Sequence, residues 1–346
     1  MRVALDISPT ITGHSQRGIG VYTQRLKEEF QNNKWPTEFE FFENPTSPPP
    51  ADVIHHPYFD LFFHTLPFKK PAGRVVTIHD VIPLVFPNYF PAGIKGYLNL
   101  YFQKRALKNV DAVICDSQTS KEDIVSKLLF PKDKIHVVYL APAQNFRPIP
   151  DKKYLSSFSK KYSLPKEFIL YVGDVNWNKN IPNLLEAVKI AKITLVMVGK
   201  ALTDNSLVST REITKRIKRL GLEKQIIRTG YIPEEDLIAL YNLAGLTILP
   251  SFYEGFGLPV LESMACGTPI VCSKIASLPE IVGNLAVFCD PEDPQDIAKK
   301  ITQILNLSQK EKELLSQKSI KHASKFTWHK VAKDTIKVYQ EVYNKL

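Results

Sequence analysis

Short apolar runs rich in β-branched residues recur along this chain, each followed by a stretch whose apolar residues repeat with the helical period. That alternation restricts the chain to parallel sheets covered by helices, because parallel neighbours need long crossovers and strands buried on both faces read as continuous apolar runs. In the first half the runs are 2–7, 53–56, 74–79, 112–116 and 135–140. The pattern restarts with 168–173, 194–199, 226–230, 246–251, 269–273 and 286–290. Between the two sets, Phe146-Arg147-Pro148-Ile149-Pro150-Asp151 reads as a linker, and 346 residues exceed what one core usually organises. Two doubly wound domains are therefore expected, over 1–150 and 151–328. A closing helix over 329–346 carries Val331, Ile336, Tyr339 and Tyr343 for packing back toward the first domain.

Open sheets of this kind bind ligands outside the carboxyl ends of their strands, in the loops that lead into helices. The most informative such loop is Pro250-Ser251-Phe252-Tyr253-Glu254-Gly255-Phe256-Gly257-Leu258-Pro259-Val260-Leu261-Glu262. Pro259 fits the first turn of a helix, where its missing N–H costs nothing, so Gly255 and Gly257 stand at a helix N-terminus. Exposed amides and the positive dipole end bind phosphate there, and glycine permits close approach. Glu254 then precedes the helix and Glu262 lies one turn inside it, suited to a sugar and to a ribose diol.

Composition narrows the setting. Four cysteines, Cys115, Cys266, Cys272 and Cys289, lie far apart in apolar runs and lack metal-ligand spacing, so buried free thiols are expected. Neither an Asp-x-Asp nor a His/carboxylate cluster appears, and no metal or cofactor is expected. The formal net charge of +10 is dispersed, which argues against a nucleic-acid partner. The chain opens directly into a strand-like run and contains no membrane-spanning stretch, so a cytoplasmic location is expected, with peripheral contact at the inner face of the membrane left open. One aromatic stretch bears on that contact: Ile94, Tyr97, Leu98, Tyr101 and Phe102 follow helical spacing. Such a stripe is expected to be core, with an acceptor or membrane-docking face as the alternative.

The two glutamates around Gly-Phe-Gly-Leu-Pro, followed by Met264-Ala265-Cys266-Gly267-Thr268-Pro269-Ile270-Val271, resemble the donor-binding signature of the retaining GT-B glycosyltransferases of family 4. Tyr171-Val172-Gly173, Lys179-Asn180-Ile181, Gly230-Tyr231-Ile232-Pro233, Leu278-Pro279-Glu280-Ile281-Val282-Gly283 and Phe326-Thr327-Trp328 resemble that family as well. The first half does so more loosely, through Gly18-Ile19-Gly20-Val21-Tyr22 and Thr77-Ile78-His79-Asp80. The resemblance implies the α/β GT-B fold, two Rossmann-like domains facing across a cleft, with the acceptor side in the first and the nucleotide sugar in the second. It implies transfer of a hexose, mannose first, from a nucleoside-diphosphate sugar to a glycan or lipid-linked acceptor in polysaccharide or cell-envelope synthesis.

Carried onto these residues, the resemblance implies Glu262 on the ribose and Glu254 beside the reacting carbon. Gly255 and the amides of Phe256, Gly257 and Leu258 would hold the diphosphate, with Gly173 beside it and Lys179 as its cation. Gly18 and Gly20 would close from the first domain, His79 would lie near the donor sugar, and Tyr231 and Ile232 near the base. Glu254, His79 and Lys179 are the expected catalytic residues. Asp174 and Asn178 depart from the family, which often places basic residues there, leaving Lys179 as the one obvious cation of its loop. Physically, a helix N-terminus and a lysine stabilise a leaving diphosphate, and a carboxylate stabilises oxocarbenium character. A GT-B nucleotide-sugar epimerase and a catalytically silent nucleotide-sugar-binding protein remain as alternatives.

Overall fold

A computed structural model describes residues 1–12 and 18–346. Met1–Ala141 together with Phe326–Leu346 form one compact unit, and Pro142–Lys325 form the other. Residues 142–150, expected with the first domain, belong to the second. Asn145 donates to the Glu234 carboxylate at 2.8 Å, and the Ile149 N–H to the Asn242 side chain at 2.8 Å.

Among the described residues the first unit carries a six-stranded parallel sheet in the order β2-β1-β3-β4-β5-β6. Its strands are β1 Arg2–Asp6, β2 Glu38–Phe42, β3 Val53–His56, β4 Gly73–Thr77, β5 Ala112–Cys115 and β6 Ile135–Val137. Alternate residues face opposite layers. Val75, Ala112 and Ile114 join Tyr22, Leu26 and Phe30 of the Gly18–Asn32 helix, and Val76, Val113 and Cys115 join Leu100, Ala106 and Leu107 of the Gly93–Leu107 helix. The chain's last helix, Trp328–Tyr343, closes the first of these layers with Val331, Ile336, Tyr339 and Val342, whereas Tyr343 is exposed.

Two sequence expectations are corrected here. The runs in the first half missed β2, an edge strand whose glutamates Glu38 and Glu40 are exposed while Phe39 and Phe41 pack on the core; Phe39 stacks on Phe30 at 3.9 Å between centroids. The aromatic stripe is not core. Gly96, Leu100, Gln103, Ala106 and Leu107 form the buried face of the Gly93–Leu107 helix, while Ile94, Tyr97, Leu98, Tyr101 and Phe102 are exposed. Both faces of that helix contain apolar residues, so spacing alone did not identify the inner one.

The second unit holds another six-stranded parallel sheet, order β12-β11-β10-β7-β8-β9. The strands are β7 Phe168–Val172, β8 Thr194–Val198, β9 Ile226–Gly230, β10 Leu246–Leu249, β11 Ile270–Ser273 and β12 Val287–Cys289. Because β7 pairs with both β8 and β10, the order reverses beside it, and the loops leaving β7 and β10 emerge side by side. All four cysteines are buried, and none forms a disulfide.

Candidate functional site

The loop after β10 is shaped by its backbone. Gly257 precedes the Leu258–Ala265 helix at φ +92°, and a Cβ there would lie 2.5 Å from Leu278 Cδ2, so both conformation and space require glycine. Pro259 occupies the first turn. Serine hydroxyls hold the loop's carbonyls: Ser277 Oγ donates to Glu254 O and Phe256 O at 2.9 Å each, and Ser273 Oγ to Ser251 O at 2.5 Å. Gly255, Phe256 and Gly257 are thereby fixed at the helix N-terminus, with Leu258 as its first residue.

The loop after β7 is tied to it. Asn178, buried, donates its side-chain amide to Tyr253 O at 2.9 Å, and its backbone carbonyl accepts the Phe252 N–H at 2.7 Å. Asn180, in the left-handed region at φ 55°, donates to Pro250 O and Pro291 O at 2.9 and 2.6 Å. Trp177 stacks on Phe252 with centroids 5.0 Å apart. Asn178, a departure from the basic residue that the resembled family often places there, is thus a structural cross-link. Asp174 is exposed; its carboxylate accepts the Val175 N–H and its carbonyl the Tyr171 hydroxyl, each at 2.7 Å. Gly173, partly buried, donates its N–H to Val198 O at 2.9 Å.

This stitching brings Lys179 to Glu254. The ammonium lies 2.8 Å from each carboxylate oxygen, and Ser251 Oγ donates to Oε1 at 2.6 Å. Lys179 and Glu254 side chains are only 18% and 6% exposed, so the pair is largely removed from water. Two contacts run to Glu254, and an ammonium carries three N–H donors, so Lys179 keeps a donor for a further anionic acceptor. Glu262, one turn into the helix, accepts from the buried Tyr241 hydroxyl at 2.8 Å. Burial pushes its carboxyl up to about 7, against the opposing hydrogen bond from Tyr241. Tyr231 is 59% exposed and Ile232 buried; both follow β9, which β8 separates from β7.

Gly18, Gly20 and His79 belong to the other unit. Gly18 is exposed and opens the Gly18–Asn32 helix, while Gly20 is buried in its first turn. His79 follows β4. Its Nδ1 lies 2.7 Å from Asp116 Oδ2, its ring meets Tyr22 edge-on at 4.8 Å, and its Nε2 is buried without a hydrogen-bond partner among the described residues. Burial opposes charge on this imidazole, but the Asp116 carboxylate and hydrogen bond, with Asp80's charge, outweigh it and raise the pKa. His55 is different: fully buried between Tyr339 OH at 2.7 Å and Thr77 Oγ1 at 2.8 Å, it is pushed down to about 3 by burial and stays neutral. His56 pairs with Asp6 at 3.3 Å.

Sequence reasoning missed Asp116, Tyr241, Ser251 and Ser277. Ser251 carried a signal, since it stands two residues past the end of a buried strand. The other three are distant in sequence from the residues they hold.

Residues 156–340 match the family model described as Glycosyl transferases group 1, and 40–141 that of Glycosyltransferase Family 4. O-antigen chain mannosyltransferase B of Escherichia coli is 30% identical over 287 residues, covering 82% of this chain and 75% of the relative. Serotype-specific mannosyltransferase WbdA of Escherichia coli is 31% identical over 271 residues, 76% of this chain; the match spans 32% of that longer protein. Among solved structures, a sucrose-phosphate synthase from Thermosynechococcus elongatus superposes with a TM-score of 0.77 at 18% identity, covering 100% of both chains. At that identity the likeness establishes the fold alone, and it is the GT-B fold.

Proposed function

The chain belongs to the group 1 glycosyl transferases, and from that premise we propose that it moves a hexose, mannose first, from a nucleoside-diphosphate sugar to a glycan or lipid-linked acceptor with retention. That it is a glycosyltransferase follows from membership; donor, stereochemistry and residue roles are the proposal. The observation that carries it is the Lys179–Glu254 pair at the N-terminal end of the Leu258–Ala265 helix, with Glu262 one turn further on. Leaving diphosphate gathers charge as the anomeric C–O bond breaks, and Lys179 with the helix amides meets that charge. Glu254, held by Lys179 and Ser251, faces the cationic character that develops on the sugar. The acceptor oxygen bonds to the anomeric carbon and its proton passes to the departing phosphate oxygen.

Glu262 accepts from the ribose hydroxyls and Tyr231 and Ile232 border the base; His79, with its ring oriented by Asp116, serves the sugar. Transfer needs no resident metal or cofactor, because Lys179 and the helix supply the positive charge. The two mannosyltransferase relatives support mannose as the sugar. Peripheral association with a membrane, where a lipid-linked acceptor resides, is part of the proposal. No described helix is long and apolar enough to cross a membrane.

The test is release of nucleoside diphosphate from a panel of nucleotide sugars with and without a mannose-terminated acceptor, followed by NMR of the new linkage. Acceptor-dependent release from GDP-mannose and an α-anomer as first product are expected. Donor binding without release under any acceptor would support a silent binding protein, and an inverted anomer would overturn retention.

A further inference from the structure

We propose that the outer face of the Gly93–Leu107 helix, with Phe63 and Phe68 beside it, docks on an anionic lipid bilayer. The inference names the surface for the membrane association proposed above and rests on that reading.

Ile94 is 92% exposed, and Tyr97, Leu98 and Tyr101 are each more than half exposed on the same side of the helix. Phe102 continues the patch, meeting Tyr101 at 5.6 Å and Phe68 at 6.2 Å between ring centroids. Phe63 adds another ring, 67% exposed. Scattered apolar residues are normal on a protein surface, but a contiguous aromatic and aliphatic face marks an interaction site.

The face has a built foundation. Gln103, fully buried behind it, accepts the Leu66 N–H at 3.1 Å and donates to Asp60 O at 2.7 Å and Thr65 Oγ1 at 2.8 Å. Asn99 donates to Phe62 O at 2.8 Å. The loop carrying Phe63 and Phe68 is therefore fastened to the helix, and its rings are held outward rather than left there by a loose segment.

Charge selects the occupant. From 61 to 110 the only acidic residue is Asp80, whereas Lys69, Lys95, Arg105 and Lys108 are exposed cations. The helix runs from an apolar N-terminal half to a basic C-terminal end, with Arg105 one turn beyond Tyr101. Tyr97 and Lys104 also line a cavity of about 290 Å³ with Phe62, Leu84, Phe90 and Lys127, which joins apolar walls to two lysines. Apolar and aromatic side chains flanked by cations, with no exposed acid on the helix to be repelled, match a headgroup layer over acyl chains.

Sedimentation of the full chain with vesicles of phosphatidylcholine alone, and of phosphatidylcholine mixed equally with phosphatidylglycerol, tests the proposal. Wild type is expected to partition onto the anionic vesicles and to leave them at high salt. Ile94→Ser/Leu98→Ser/Tyr101→Ser and, separately, Arg105→Glu/Lys108→Glu should each weaken partitioning roughly tenfold or more while keeping the thermal midpoint and transfer to a water-soluble acceptor. If wild type ignores anionic vesicles, the association itself falls; if it binds and both variants bind equally, only this surface is wrong. Self-association of wild type, lost in the apolar variant and without vesicle binding, would overturn the proposal in favour of a second copy as occupant. The soluble-acceptor assay reports separately on the transferase reading.

Discussion

Lys179 and Glu254 hold each other's charge, and in the proposed function both also face the donor, which fixes what their removal should do. Lys179→Ala loses a transition-state stabiliser worth ~2–4 kcal/mol, a fall of roughly two to three orders of magnitude in turnover at saturating donor. It also strands a carboxylate that is 5% exposed, and breaking a buried pair from one side costs about 3–5 kcal/mol of stability. Adding Glu254→Gln should restore much of the melting temperature and none of the activity; a double variant as unstable as the single would show that the pair is not the source of the loss. Glu262 titrates in the opposite sense to an ordinary surface acid. Its folded pKa of about 7 lies above the unfolded value, so the folded state keeps its proton longer and stability falls as pH rises from the unfolded pKa to about 7. Above that the contribution is flat. Glu262→Gln, which mimics the protonated form, should gain melting temperature over wild type progressively from pH 5 to about pH 7, and lose donor affinity. A constant difference across that range would remove the assignment.

The decisive element is the Leu258–Ala265 helix with the loops that hold its N-terminus. Gly257→Ala introduces a Cβ at a positive φ and against Leu278, a strain of about 1–2 kcal/mol before any repacking. The loop relieves it by moving, and donor KM should rise with it; unchanged KM together with unchanged stability would mean that the loop tolerates the displacement. Asn178→Lys tests whether the family's basic residue can be restored. Because the Asn178 amide fastens the two loops through Tyr253 O, the lysine should destabilise the unit and lower activity rather than improve diphosphate binding. The comparison is melting temperature and donor KM of the variant against Asn178→Ala, and a lysine variant with tighter donor binding would contradict the structural role. Buried Asn178 and Asn180 explain why this loop keeps its shape with so few cations.

At the scale of the whole molecule, the chain's last helix completes a core that its first residues begin. Tyr339 is fully buried, gives His55 a hydrogen-bonding partner and packs in the same layer as Val3, Leu5 and Leu26. Tyr339→Phe leaves His55 Nδ1 without that partner and should cost about 1–3 kcal/mol, read as a lower denaturation midpoint with donor binding in the second unit intact. Truncation after Lys325 removes the entire helix, and the first unit should then fail to fold while the second remains protease-resistant. A truncated chain whose first unit resists protease like wild type would show that the helix is dispensable.

Periodicity and turn chemistry made the two parallel sheets legible without a structure, since strands of covered parallel sheets read as apolar runs and eleven of the twelve described strands coincide with such a run. The strand that escaped, β2, lies at an edge where one face stays wet. The placement of Glu254, Gly257 and Glu262 around a helix N-terminus was legible for a related reason: a helix start beside a strand end is a local feature, written in consecutive residues. Partnership is not local. That Lys179 spends its charge on Glu254, that Asn178 is a fastener, that Tyr241 meets Glu262 and Asp116 meets His79 all depend on strand order, which sets which loops emerge together. The tertiary structure also decided which apolar face of the Gly93–Leu107 helix is core. Helical spacing shows that a stripe exists, but only the shape of the neighbouring layer determines which stripe is covered and which is left to meet something else.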